Sequence, residues 1–299
     1  EPNIKEGKGG LRDLQTLYWL TKFLYGVSNV SELVPLGVFT AQDVRRYTKA
    51  QDFLWAVRCH LHYLTGRAEE RLSFDVQKNI GEIMNYADGP SGSGVENFMK
   101  HYFLMAKDVG DLTRLLCAVL EDQQQKKPFF RLPSFTRRWS DADGFIDDRG
   151  RINVNRNDTF QKDPLKLLRI FAEAQNHNVD IHPHALRLIS RDLHLVNEAF
   201  RQNKDANVLF LGIMTSKKDP ETALRRMNEA GVFGKFVPEF GRVVAQMEFS
   251  MYHSYTVDEH TIRAIGILSR IEAGDYAQEM PNVTKAMKEI HSRRALFIA

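Results

Sequence analysis

Apolar residues recur every three to four positions along most of the chain, which is the spacing of helices that bury one face. In the first half, this pattern runs from Leu11 to Leu24, from Phe53 to Leu64 and from Val95 to Val119. The last run is long enough for about seven helical turns, with Gly110 as its weakest point. The first half of the chain is therefore predicted to be helical.

Capping signals mark several of the predicted helix starts. Thr40–Asp43 and Thr256–Glu259 each have the form of a capping box, and the second opens a helix that is predicted to run through Leu268. Asp163–Pro164 and Asp219–Pro220 each place an N-cap Asp before a Pro at the first helical position. The second half of the chain is therefore predicted to be helical as well.

A single segment has the pattern of a β-hairpin. In Gly144–Val154, apolar ends flank the turn-forming sequence Asp147–Gly150. Strands and helices do not alternate as they do in parallel sheets, and the sequence has no internal repeat. The fold is therefore predicted to be mainly α, with one short β-hairpin near the middle.

A polar stretch, Gln123–Pro128, ends the third predicted helix and indicates a domain boundary. The predicted organisation is a helical domain over residues 1–127, a linker with the β-hairpin over 128–162, and a second helical domain over 163–299. A chain of 299 residues is long enough for two domains of ordinary size.

Composition and charge narrow the classes of function. Hydrophobic residues make up 43% of the chain and charged residues 26%, which is typical of soluble globular proteins. The net charge of +3 is too balanced for a nucleic-acid-binding protein, and no apolar run approaches the ~18 residues that cross a bilayer. Because the chain has two cysteines, Cys59 and Cys117, and no signal peptide, we expect it in the reducing cytoplasm. We expect neither nucleic acid nor a membrane as a partner.

Both ends indicate a piece of a longer protein. The chain does not start with Met, and it stops within the apolar helical run Arg294–Ala299 with no cap, Gly or Pro after it. An active site that spans either end would therefore be incomplete in this chain.

The opening segment Asn3–Asp13 is the strongest candidate for chemistry. It contains three glycines and the cations Lys5, Lys8 and Arg12. Glycine amides can form an anion-binding concavity, and the helix that follows offers its positive N-terminus. The alternative is a flexible, Gly-rich lead-in to a helix. Spacing alone favours the lead-in, because the segment is neither a Walker A loop nor a Rossmann fingerprint.

Other polar clusters have simpler structural interpretations. Cys59–His62 contains potential metal ligands, but successive helical residues point to different faces, which favours a structural role. His182–His184 is predicted to be a helix start, and a hairpin turn explains Asp147–Asp148 better than a metal site does. Trp55–Arg58 and Arg67–Arg71 are interpreted as helix packing and surface ion pairs, each worth little alone.

Six segments of the chain, taken in order, follow the pattern of one protein family. The first is Lys-x-Gly-x-Gly-Gly-Leu-Arg-Asp, here Lys5–Asp13. The others are Ala50–Arg58, Leu64–Leu72, Arg225–Val232, Phe236–Phe240 and His253–Thr261. Together they resemble the bacterial PII uridylyltransferase/uridylyl-removing enzymes, and a variant of the first segment occurs in glutamine synthetase adenylyltransferases. The resemblance covers essentially the whole chain.

The resemblance implies an enzyme of nitrogen regulation with two activities. One transfers uridylyl from UTP to the PII signalling protein, with Mg²⁺ or Mn²⁺, and the other removes it by hydrolysis, with glutamine as the effector. In the family, the first segment follows the nucleotidyltransferase core and leads into a helical domain, so no catalytic set is complete in this chain. The residues implied to contact the nucleotide or to brace the helical domain are Lys5, Gly7, Gly9, Gly10, Arg12 and Asp13.

The resemblance also implies that the helix opened by Thr256–Glu259 begins a truncated HD-type phosphohydrolase domain. His260, close to His253, would be the first ligand of a divalent metal, and a His-Asp pair and a later Asp would complete the set. No His-Asp pair follows His260 in this chain, so we expect no stable metal binding here. The structural alternative is a histidine that caps or packs near a helix start.

Two alternatives from other classes stay open. An RNA nucleotidyltransferase of the CCA-adding or poly(A) polymerase type shares features such as Asp163–Phe171, but it predicts a basic surface that the balanced charge does not favour. A non-catalytic helical interaction module predicts no response to nucleotide or metal, even with flanking sequence restored. Under the preferred interpretation, we expect this chain alone to be catalytically silent in both directions.

Overall fold

The computed structural model describes residues 1–89, 92–124, 143–247 and 255–299. These residues are mainly helical and include one small sheet, so the predicted fold class is confirmed. They form two compact units: residues 1–124 with 245–247 and 255–257 make up the first, and residues 143–244 with 258–299 the second. The predicted boundary after residue 127 lies outside the described residues.

In the first unit, helices surround one apolar core. Their bounds are α1 Leu11–Tyr25, α2 Ala41–Thr65, α3 Phe74–Ile83 and α4 Gly94–Gln124, with a 3₁₀ helix at Val30–Leu33. Leu14, Leu54 and Phe98 are fully buried on three of these helices, as the spacing of apolar positions predicts. The predicted capping box is present at the start of α2, where Thr40 and Asp43 each accept a hydrogen bond from the other's amide.

The second unit combines short helices with a three-stranded sheet. The elements of its first part are β1 Phe145–Asp148, β2 Arg151–Val154, α5 Thr159–Lys162, α6 Lys166–His177, β3 Asp180–Ile181, α7 Pro183–Asp192 and a 3₁₀ helix at Leu193–Leu195. The later elements are α8 Glu198–Gln202, α9 Lys204–Met214, α10 Pro220–Glu229, α11 Val232–Phe236, α12 Pro238–Val243, α13 Val257–Ala273, α14 Pro281–Lys288 and α15 Arg293–Ile298. In the described parts of both units, no helix combines the length and the apolar character of a membrane span.

The predicted hairpin is formed by β1 and β2. The strands pair in antiparallel fashion with Phe145 opposite Val154, and the Gly150 amide donates to the Asp147 carboxylate at 2.8 Å within the turn. Phe145 and Ile152 are fully buried in the core of the second unit. The hairpin is therefore an integral part of this unit.

A third strand, β3, was not predicted. It pairs with β2 in parallel fashion, with Arg151 opposite Asp180 and Ile152 opposite Ile181, and α5 and α6 lie between the two strands in sequence. The expectation that strands and helices do not alternate was therefore wrong at this point. A strand of two residues is too short to show a period of two, which is why its sequence gave no signal.

The two Asp-Pro helix starts have different outcomes. Asp219 caps α10 as predicted, and its carboxylate accepts from the amide of Thr222 at 3.1 Å. The prediction for Asp163 was wrong, because α6 begins only at Lys166. The Asp163 carboxylate accepts from the amide of Leu165 at 3.2 Å, which forms a turn before the helix instead of capping its first residues.

Candidate functional site

Residues Asn3–Asp13, called the opening loop below, form a tight turn that leads directly into α1. The side-chain oxygen of Asn3 accepts hydrogen bonds from the amides of Lys5 at 3.0 Å and Glu6 at 2.7 Å. The Asn3 carbonyl accepts from the amide of Gly7 at 2.9 Å. Asn3 therefore organises the first half of the loop.

Further amides of the opening loop also have acceptors within the chain. The Gly9 amide donates to the Asp13 carboxylate at 2.7 Å. The other amide–carbonyl pairs are Gly10 with Gly7 at 2.8 Å, Leu11 with Ile4 at 2.9 Å and Arg12 with Lys5 at 2.9 Å. Because these amides are already used as donors, they do not form the anion-binding concavity that the glycines suggested. Positive charge for a ligand would therefore come from the side chains of the loop.

The three glycines are needed because backbone atoms approach them closely. A Cβ on Gly9, whose φ is +75°, would lie 2.1 Å from the carbonyl oxygen of Ala106 in α4. A Cβ on Gly7 or Gly10 would lie 2.4 or 2.6 Å from a carbonyl oxygen of the loop itself. No side chain fits at such distances. The opening loop is thus packed backbone to backbone against α4.

The opening loop also pairs with the chain that follows α2. The Ile4 amide donates to the Glu70 carbonyl at 2.8 Å, and the Leu72 amide donates to the Pro2 carbonyl at 2.9 Å, around an antiparallel bridge. The structure therefore places the loop beside Leu64–Leu72, another of the segments that follow the family pattern.

A charged pair lies directly beside this bridge. Arg58 in α2 donates to the Glu70 carboxylate at 2.7 to 3.2 Å, and the two side chains are 21% and 19% exposed. The ring of Trp55 lies 5.1 Å from the guanidinium. The hydrogen bonds from Arg58 lower the pKa of Glu70, and the charge of Lys5 contributes in the same direction. This shielded pair corrects the prediction that these segments make only helix packing and surface ion pairs.

The charged side chains of the opening loop are exposed to different degrees. Arg12 donates to Glu6 at 2.5 Å, and both side chains are more than half exposed. Lys8 is exposed and Lys5 is half-buried. Asp13 lies in the first turn of α1, where its carboxylate is already used within the loop. The predicted residues of the loop are thus gathered in one place, and three cations lie at its surface or edge.

In the second unit, α13 begins where it was predicted to begin and extends beyond the predicted end. His260 is exposed on this helix, whereas Asp258 is buried. Among the described residues, no three His, Cys, Asp or Glu side chains come together so as to hold a metal ion. A single imidazole does not fit a divalent-metal site. His253 lies outside the described residues.

The inner face of α13 is bound to α10 by polar side chains, which sequence reasoning did not find. The Asn228 amide donates to the Asp258 carboxylate at 2.8 Å, and both side chains are buried. Arg225 donates to Glu259 at 3.2 to 3.3 Å and to Glu221 at 3.0 Å. The paired residues of the two helices are 30 and 34 positions apart in the sequence. Helical periodicity relates residues three or four positions apart, so it could not indicate these pairs. The one signal in the sequence was that both helices carry family-like segments.

Other candidates from the sequence have structural roles. His182 caps α7, and its Nδ1 accepts from the amide of His184 at 3.1 Å, so the predicted helix start is confirmed. Asp147 closes the hairpin turn, as predicted. Cys59 is exposed, and within the described ranges Cys59–His62 contributes to no metal-binding group.

Comparison with known protein families matches two parts of the chain. Residues 1–117 match the family described as GlnD PII-uridylyltransferase, and residues 145–236 match the third domain of the uridylyltransferase GlnD. The first match contains the opening loop and its contacts with α4 and with the segment that follows α2. The second contains the sheet and α10.

Curated relatives match the chain from end to end. Bifunctional uridylyltransferase/uridylyl-removing enzymes are 54% identical in Azospirillum brasilense, 53% in Rhodospirillum rubrum and 52% in Novosphingobium aromaticivorans, over 302, 299 and 301 positions. These alignments cover 100% of the chain but 32%, 32% and 33% of the relatives, so the chain spans about a third of their length. No solved structure matches the chain.

Proposed function

Because the chain belongs to the GlnD PII-uridylyltransferase family, we propose that it is part of an enzyme that transfers uridylyl from UTP to the PII signalling protein and removes it by hydrolysis. The observation that carries this proposal is the end-to-end similarity, at 52–54% identity, to bifunctional uridylyltransferase/uridylyl-removing enzymes. Since the chain spans about a third of those relatives, we place the missing parts of both active sites elsewhere in the full-length protein.

For uridylyl transfer, we propose that the opening loop is a rigid wall beside the nucleotide. The support is its packing against α4 at Gly9 and its internally bonded amides, which fix its shape. Lys5, Lys8 and Arg12 would then face the phosphates of UTP, since cations on a rigid support are suited to a polyanion. We assign the bound Mg²⁺ or Mn²⁺ to the full-length protein, and no carboxylates of this chain are assigned to it.

For uridylyl removal, we propose that His260 is one member of a hydrolytic site that residues outside the described ranges complete. Its exposed position on α13 supports this role, because further groups can approach it from solvent. We also propose glutamine as the effector that shifts the balance from transfer towards removal, at a site outside this chain.

The direct test compares this chain with the full-length protein. Both are incubated with labelled UTP and PII in Mg²⁺ or Mn²⁺, and label on PII is measured before and after glutamine is added. We expect the full-length protein to transfer and to remove the label, and this chain alone to do neither. A full-length protein inactive in both directions would overturn the proposed function. Transfer by this chain alone would overturn the expectation that its catalytic sets are incomplete.

The alternative functions give different results in a thermal-shift titration of the full-length protein with UTP, CTP and Mn²⁺. A ligand that binds only the native state raises its stability. We expect a larger shift with UTP than with CTP. Incorporation of CTP or ATP into RNA would indicate an RNA nucleotidyltransferase, and no response to any ligand would indicate a non-catalytic module.

A further inference from the structure

Two adjacent arginines on α10 contact different elements of the second unit. Arg225 donates to Glu259 in the first turn of α13. Arg226 donates to the carbonyl of Val179 at 2.9 Å and to the carboxylate of Asp180 in β3. α10 is therefore bound to the edge of the sheet on one side and to α13 on the other.

A second contact between α10 and α13 lies nearer the start of α10 and further along α13. The Glu221 side chain, 13% exposed, accepts from Arg225 and lies 3.4 Å from Arg270. It crosses α13 at Gly266, where a Cβ would lie 2.0 Å from the Glu221 Oε2 atom. Together with the pair of Asn228 and Asp258, these contacts hold α13 at its first turn and again more than a turn later.

Contacts at two points along a helix fix both its rotation about its axis and its position along that axis. Asp258 and His260 are two positions apart, which corresponds to roughly 200° around an α-helix. The buried Asp258 therefore anchors the inner face, and His260 is presented on the opposite, exposed face. A rotation of α13 that breaks the contacts of Asp258 or Glu259 must also move His260.

We propose that Arg225, Asn228 and Glu221 are positioning residues for uridylyl removal, because they set the direction in which α13 presents His260. This inference rests on the proposed role of His260 in that reaction. The three side chains act through α13, and a displacement of reacting groups by about 1 Å can lower a rate by two orders of magnitude. Uridylyl transfer, which we assign to the opening loop and parts outside this chain, should not depend on them.

The neighbouring arginine supplies a matched control for general destabilisation. Arg225→Gln removes the ion pairs with Glu221 and Glu259, and Arg226→Gln removes the ion pair with Asp180 from the same helix. Only the first change removes a contact with α13. Each variant is made in the full-length protein. Both activities are measured on the same preparation, together with the melting temperature. Hydrogen exchange of the peptides that span residues 257–266 is also measured, because it reports the stability of α13 directly.

We expect Arg225→Gln to lower kcat of removal about tenfold, with KM for uridylylated PII unchanged and with transfer within about twofold of the parent. Exchange over residues 257–266 should rise. Arg226→Gln should change neither the removal rate nor this exchange. Arg225→Lys keeps the charge but loses the forked geometry, so partial recovery of kcat is expected. Equal loss of removal in the two Gln variants, or a parallel loss of both activities in Arg225→Gln, would overturn the inference.

His260→Ala separates this inference from the function on which it rests. If His260→Ala retains full removal activity, the proposed role of His260 is wrong and the positioning role falls with it. If His260→Ala abolishes removal while Arg225→Gln leaves it intact, the role of His260 stands and only the positioning inference is overturned.

Discussion

The opening loop and the first turns of α13 both belong to candidate sites. Mainly backbone groups hold the loop in place, whereas side chains hold α13. In the loop, backbone amides find acceptors within the chain, and Gly9 lies against a carbonyl of α4. In α13, the side chains of Arg225 and Asn228 make the contacts. The loop should therefore tolerate the loss of its exposed charged side chains but no added Cβ at Gly9, whereas α13 depends on the side chains that bind it to α10. The loop can therefore offer its charged side chains to a ligand, whereas the inner face of α13 cannot.

The largest effect should follow from Gly9→Ala. The added Cβ would lie 2.1 Å from the Ala106 carbonyl oxygen, at a φ of +75° that already disfavours a side chain. Because the added Cβ is fixed to the loop backbone and the Ala106 oxygen belongs to the backbone of α4, relief requires the loop to separate from α4. We expect the free energy of unfolding to fall by about 4 kcal/mol. Urea unfolding followed by tryptophan fluorescence measures it, since Trp19 and Trp55 both lie in the first unit.

Gly26→Ala is the control for Gly9→Ala. Gly26 has a similar φ of +67° at the end of α1, but no atom lies within 4 Å of the position that its added Cβ would take. The cost should therefore be the conformational one alone, about 1 kcal/mol. Equal losses at the two glycines would mean that close packing against α4 does not hold the loop.

The next largest effect should follow from Gly266→Ala in α13. Alanine is normally favoured inside a helix, but here its Cβ would lie 2.0 Å from the carboxylate and 2.8 Å from the Cβ of Glu221. The free energy of unfolding should fall by about 2 kcal/mol, a typical cost of overpacking. The same change at Gly212 in α9, where the space is open, should raise it by about 0.5 kcal/mol. Thermal unfolding of both variants checks the opposite signs, and a stabilised Gly266→Ala would refute the close contact.

Glu70→Gln tests whether a side-chain contact also holds the opening loop. Arg58 lowers the pKa of Glu70 in the folded chain, so the ionised carboxylate stabilises the fold above the ordinary glutamate pKa of about 4.3. This contribution is lost as the pH falls through the lowered folded-state pKa. We expect Glu70→Gln to cost about 1.5 kcal/mol at pH 7 and the gap to the parent to narrow below pH ~4.

Urea unfolding at pH 7 and at pH 3 measures this gap. Glu69→Gln is the control, because its ion-pair partner Arg67 is 74% exposed and the glutamine oxygen can still accept from the amides of Glu70 and Arg71, so the difference should be smaller. A gap that is the same at both pH values would contradict the proposed pairing. A loss at pH 7 larger than that of Gly9→Ala would contradict the view that the backbone holds the loop.

Most features set by neighbouring residues could be predicted, and features set by distant contacts could not. The apolar spacing of α1 and α4, the capping box at Thr40 and the cap at Asp219 depend on residues a few positions apart, and all are present. At Asp163 the same local signal was misleading, because its carboxylate binds the amide of Leu165. β3 is too short to have a pattern at all.

In the candidate sites as well, contacts between residues far apart in the sequence could not be predicted. Family resemblance identified the opening loop, but the reason for Gly9 lies at Ala106 in α4, far along the chain. Likewise, Arg58 and Glu70 stood in separate family-like segments, and nothing in either segment indicated that they pair. The role of His260 stays a prediction, because the groups that would complete its site are not among the described residues.

The smallest effect on stability should follow from Arg12→Gln. This change is also the sharpest test of whether the backbone holds the loop while its charged side chains serve a ligand. The pair of Arg12 with Glu6 is more than half exposed, so its loss should cost no more than about 0.5 kcal/mol. If the loop is a backbone-held wall that offers its cations to UTP, the same change in the full-length protein should lower uridylyl transfer about tenfold, since a charged hydrogen-bond donor is lost. Glu6→Gln frees the guanidinium and should leave transfer unchanged or raised.

Arg12→Gln and Glu6→Gln remove the same ion pair, so any effect on stability must be shared between them, whereas an effect on transfer should appear only in the first. Melting temperatures and transfer rates of both variants, measured side by side, therefore separate the two roles of Arg12. If both variants lose transfer in proportion to their stability, the side chains of the loop are structural, and the distinction between the loop and α13 fails. If only Arg12→Gln loses transfer at an unchanged melting temperature, the backbone fixes the loop and its surface cation serves the reaction.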